Sequence, residues 1–132
     1  MSEWLSYLVD ALIRMDRCDE ADMFLRDAER IVDETNERSH VADLRRLRGN
    51  LLHRDGAVDA AVISLEQAID WASQRHAKVF ELRARRDLAR LHIDEGRPKA
   101  ASVVLNHALS LFSKELVFFD LTEARDLLPA CV

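Results

Sequence analysis

The 132-residue chain repeats itself. Displaced by 40 residues, Ala21 falls on Ala61 and Ala101, Leu25 on Leu65 and Leu105, and Ala28 on Ala68 and Ala108. The residues before them keep the same offset: Asp16, Gly56 and Gly96 share one position, Val9, Gly49 and Ala89 a second, and Leu12, Leu52 and His92 a third. Three registers agree without a gap. Such a chain folds as three similar units, each burying its apolar face against a neighbour.

The unit is a helix pair. Leu44, Leu47, Leu51 and Leu52 recur at helical spacing, as do Val58, Ala61, Val62, Leu65, Ala68, Ile69 and Ala72. Gly56 and Gly96 suit the positive φ that ends a helix, and Pro98 suits the first turn of the next, where its missing N–H is not needed. The pattern predicts helices over 2–15, 18–36, 41–55, 58–75, 78–95 and 98–114, with a link from Glu37 to His40. Gly inside a helix costs ~1 kcal/mol against Ala. Gly49 is therefore expected where its helix crosses the next one closely, against Ala61. The segment 118–128 breaks the repeat, and its stripe of Phe118, Leu121, Ala124, Leu127 and Leu128 predicts a short covering helix. Trp4, Tyr7 and Leu8 open the chain on a face that a preceding unit would bury. They mark an edge for a longer array, for another molecule, or for a second copy, giving a homodimer.

The set Gly49, Gly56, Ala61, Leu65 and Ala68, and the matching Ala89, Gly96, Ala101, Leu105 and Ala108, resemble the tetratricopeptide repeat. The length departs from that family's usual 34 residues, and Arg45 and Arg48 stand where the family is commonly apolar. The resemblance implies an all-α superhelix of one domain, 1–132, with units at about 1–40, 41–77 and 78–114 and a capping helix at about 118–128. The stretches ADLRRLRGNLLHRDG, ELRARRDLARLHIDEGRPKAA and FFDLTEARDLL are also similar to the C-terminal helical tails of certain bacterial signalling proteins. Those proteins carry a class III adenylate or guanylate cyclase domain, or a transcriptional regulator joined to an ATPase module, and the sequence contains none of their catalytic parts.

Composition narrows the function classes. Nineteen Lys and Arg against 24 Asp and Glu leave a net charge of -5, which argues against wholesale nucleic-acid binding. No apolar run approaches the ~18 residues of a membrane span, and no basic-then-apolar leader opens the chain, so a cytoplasmic protein is expected. Cys18 and Cys131 make neither a disulfide framework nor a zinc spacing and are expected to be reduced. The acidic run Asp19, Glu20, Asp22, Asp27, Glu29, Asp33 and Glu34 reads as a solvated helix face. There is no phosphate loop, no His-Glu-x-x-His and no nucleophile in a strand-turn-helix setting. No catalytic residue, cofactor or metal is therefore expected, and His92 reads as a half-buried structural residue at a Leu position.

In the tetratricopeptide architecture the first helices of successive units line a groove. The resemblance then implies that Arg46, Asn50, His53 and Arg54 face inward in the second unit, and Arg83, Arg86 and Arg90, with Ile93, in the third. Arg grips carboxylate or phosphate through paired hydrogen bonds. Two readings follow. The strip holds a partner, an acidic peptide or protein segment, and Arg46→Ala with Arg86→Ala weakens that partner while leaving the fold intact. Alternatively, the Arg row pairs with neighbouring acids such as Asp43, Glu81 and Asp87. The expected function is a non-catalytic protein-interaction module; the alternative is a regulatory or self-associating tail of a larger bacterial signalling protein.

Overall fold

The computed structural model describes residues 3–35 and 40–131, excepting the side chains of 3–5 and 35. The expected link at Glu37 to His40 thus lies outside the described residues except for His40, as does the Trp4 side chain. The described residues are helical and contain no strand. Seven α-helices run in order: α1 Glu3–Arg14, α2 Cys18–Thr35, α3 Val41–Arg54, α4 Val58–Gln74, α5 Lys78–Asp94, α6 Pro98–Ser110 and α7 Phe119–Asp126. A 3₁₀ turn, Leu128–Cys131, follows. None of these helices is long and apolar enough to cross a membrane.

Four helix ends close in one way. After α1, α3, α4 and α5 a residue takes positive φ: Asp16 at 59°, Gly56 at 86°, His76 at 55° and Gly96 at 73°. Its N–H bonds the carbonyl three residues back, and the next N–H reaches the carbonyl five residues back, as in Ala57 to Leu52 at 2.9 Å and Arg97 to His92 at 2.7 Å. This double bond pattern satisfies carbonyls that the helix end leaves orphaned. The helix expected over 98–114 stops at Ser110. Beyond it the chain folds inward, and Phe112 meets Phe118 edge to face at 5.3 Å.

The helices form two layers. Each even helix packs back on the odd helix before it, α2 and α4 also reach the odd helix after them, and α6 meets α7. The odd helices touch in succession, α1 to α3, α3 to α5 and α5 to α7, whereas α2, α4 and α6 are not in comparable contact with one another. Ala21, Leu25 and Ala28 are buried, and so are their counterparts in α4 and α6. Each fully buried Leu contributes roughly 1.5–3 kcal/mol of apolar transfer. Leu121 and Ala124 of α7 complete the last core cluster, with Phe118, Leu127 and Leu128 packed against it.

Gly49 sits where the spacing predicts. A Cβ placed there would lie 2.7 Å from Leu65 Cγ and 3.3 Å from the Ala61 carbonyl oxygen. The absent side chain is what lets α3 and α4 approach.

Candidate functional site

The odd helices carry polar side chains on the faces they turn to one another, and the offset that aligns the core aligns these too. Ser6, Arg46 and Arg86 share one position, and Asp10, Asn50 and Arg90 the next turn along. Each odd helix after the first supplies a carboxylate that accepts from the helix before it. Ser6 of α1 donates to Asp43 of α3. Asn50 of α3 donates to Asp87 of α5 at 2.8 Å, and Arg83 of α5 to Asp120 of α7 at 3.0 Å. All three pairs are 37 residues apart.

Two buried guanidiniums join these links into a ladder. Arg46 Nε donates to Asp43 at 2.9 Å and its Nη1 to Asp87 at 2.9 Å. Arg86 Nε donates to Asp87 at 3.0 Å and its Nη1 to Asp120 at 2.8 Å. Arg90 reaches Glu123 at 3.4 Å. Burial by itself would raise the Asp87 carboxyl and lower the Arg46 guanidinium. Arg86, Arg46 and Asn50 outweigh that for Asp87 and hold it well below the usual carboxylate range. Asp43 and Asp87 likewise hold Arg46 above its ordinary value. Both shifts favour the charged forms of the Arg46–Asp87 pair.

This placement corrects one sequence expectation. Arg46 and Arg86 are only 4% and 3% exposed and already bound on two sides, so the paired reading describes them. Removing either is expected to destabilise the fold, because each deletion strands buried carboxylates. Arg83 and Asn50, half-buried, are tied to the same ladder. Glu81, expected among the acids of the row, is buried and takes Arg85 instead, at 2.9 Å. Of the acidic run in α2, Asp22 and Glu29 are half-exposed at the edge of the solvated face and both bind Arg48 of α3. That hydrogen bond lowers the Asp22 carboxyl.

Two clefts lie over the ladder. The first, of about 220 Å³, has α1 as one wall and α7 as the other, with Arg46, Arg83 and Arg86 in its floor. Tyr7 and Phe119 line opposite walls, 61% and 69% exposed. The second, of about 250 Å³, is bounded by Asp10, Ile13, Arg14, Asn50, His53, Arg54, Arg90 and Asp94. The two adjoin at Asp10 and Arg14, which line both. His53 Nε2 stands 3.7 Å from Glu95 and 3.9 Å from Asp94. Leu8 is half-buried against the first core cluster, whereas Tyr7 faces the cleft.

Phe119, Asp120 and Glu123 were not picked out in the sequence as site residues, nor were Asp10 and Arg14. The signal for Asp120 was the spacing: a carboxylate 37 residues after a donor on an odd helix. Nothing comparable marks Phe119. His92 is half-buried with an unpartnered Nδ1, and burial lowers its pKa. Both cysteines are free thiols at half-buried positions. Comparison with protein-family models, curated proteins and solved structures finds no match for this chain.

Proposed function

We propose that the chain is a non-catalytic interaction module of the tetratricopeptide kind, three helix pairs in a solenoid closed by α7, that receives a partner segment in the groove over its odd helices. The observation that carries this reading is the first cleft. Helices from the two ends of the chain wall it, and each presents an exposed aromatic ring to it. Exposed aromatics at a concave site favour binding, because covering them removes apolar area from water at ~25 cal/mol per Å². The recurrence of buried Ala-Leu-Ala sets along α2, α4 and α6 supports the repeat. The ladder carboxylates are committed to guanidiniums, which suits a rigid binding surface better than proton transfer.

The test is selection of peptide binders from a random display library, followed by an amide hydrogen-exchange footprint on the full chain. Protection on α1, α3, α5 and α7 at the groove supports the reading. Binders that protect only the outer faces of α2, α4 and α6, or a selection that yields none, overturn it.

A further inference from the structure

Resting on the cleft between α1 and α7 being a partner site, we infer that its occupant is a second copy of this chain. The two copies exchange Phe119 rings about a two-fold axis, so that each ring enters the other's cleft between Tyr7 and Phe119. The rings then stack in the order Tyr7, the partner's Phe119, Phe119, the partner's Tyr7.

The charges of this cleft are already matched. Each of its four guanidiniums meets a carboxylate: Arg14 meets Asp10 at 3.3 Å, Arg46 meets Asp43 and Asp87 at 2.9 Å, Arg83 meets Asp120 at 3.0 Å, and Arg86 meets Asp120 at 2.8 Å. The remaining acid of the lining, Glu123, lies 3.4 Å from Arg90. A charged occupant would bring an unmatched charge against that lining, so the cleft suits a neutral one. Its volume of about 220 Å³ is below the ~300–1,000 Å³ of small-molecule sites and fits a side chain. The chain carries a neutral, protruding side chain beside the cleft. Phe118 is extended, at φ −154° and ψ 165°, so Val117 and Phe119 project to the side opposite its ring. Phe118 packs inward on Phe112, whereas Val117 and Phe119 stand out at 74% and 69% exposed, beside Leu116 at 45%. Arg125 donates to the carbonyls of Leu116, Lys114 and Ser113 at 2.9, 3.1 and 3.4 Å, which fixes the loop that presents them. A preorganised loop loses little conformational freedom on docking. With Tyr7, these side chains present on the order of 400 Å² of mostly apolar surface. That is about half of the ~800 Å² each partner buries in a standard interface, which is the share an apolar core takes within a polar rim. A two-fold contact uses every insertion twice, so one protruding ring and one cleft per chain supply two of each.

Sedimentation equilibrium of the full chain, from about 1 μM to about 1 mM, is expected to show a monomer–dimer equilibrium. A thiol reductant keeps Cys18 and Cys131 from cross-linking copies. Phe119→Ala and Tyr7→Ala are each expected to weaken the dimer about tenfold. Val103→Ala, at a side chain equally exposed on α6, is expected to leave it unchanged. All three positions are exposed, and an unchanged melting temperature at low concentration verifies each variant. Because the exchange is reciprocal, mixing the Phe119→Ala and Tyr7→Ala chains keeps one Tyr7–Phe119 contact in each mixed dimer. The mixture is expected to associate more tightly than Phe119→Ala alone. A monomer throughout the range, a dimer indifferent to both ring variants, or a mixture with no such gain overturns the inference. A monomer whose groove a library peptide protects removes this inference and leaves the groove's function standing. No dimer and no groove binder together remove both.

Discussion

Gly49 shows how one missing carbon fixes a packing distance. Its position in the repeat marked it as unusual, and the structure puts Leu65 where its side chain would be. Val9 and Ala89, at the equivalent position, are buried with their side chains in place, so the demand is local to the α3–α4 crossing. Gly49→Ala is expected to destabilise by about 1–3 kcal/mol, the cost of overpacking exceeding the ~1 kcal/mol gained in helix propensity. A urea titration reads this, and equal or greater stability would contradict the assigned crossing. The turn residues were legible to different degrees. Gly56 and Gly96 announce positive φ by having no Cβ. Asp16 could be found only through alignment with them, and His76 lies outside that alignment and carries no such signal.

Among the elements, α3 and α5 carry the strongest coupling. The heptad-like placement of Leu44, Leu47 and Leu51 made the buried side of α3 readable. The burial of Arg46 was not readable, because it depends on Asp87 in the next unit's first helix filling a position where repeats vary. The Arg86 end was less readable still, since its acceptor Asp120 comes from α7, outside the repeating pattern. Arg46→Ala leaves Asp43 and Asp87 buried with reduced compensation, and a stability loss of about 3–5 kcal/mol is expected. Arg90→Ala, at a half-buried position where the head group still meets solvent, is expected to cost about 1 kcal/mol or less. Thermal melts of the two variants side by side decide this. Similar small losses in both would mean that the ladder contributes little.

For the molecule as a whole, the ladder contributes a dependence of stability on acid pH. Burial acts to raise the Asp43 and Asp87 carboxyls, yet their guanidinium partners hold both below the unfolded value of about 3.9. Their contribution is therefore complete above that value and lost as the pH falls through the depressed folded values. The urea midpoint, to the extent these groups govern it, is expected to stay level from about pH 7 to pH 5 and to fall below about pH 4. A midpoint unchanged at about pH 3 would count against ionised pairs in the core. The layering has a mechanical consequence as well. Among the inner helices, α3, α5 and α7 are tied in succession by ionic rungs and α1 by the Ser6 hydroxyl, while the outer helices lack comparable contact with one another. Bending that widens the groove must stretch those rungs, whereas splaying of the outer layer meets less resistance. The inner layer behaves as a tendon and resists a change in the width of the cleft between α1 and α7.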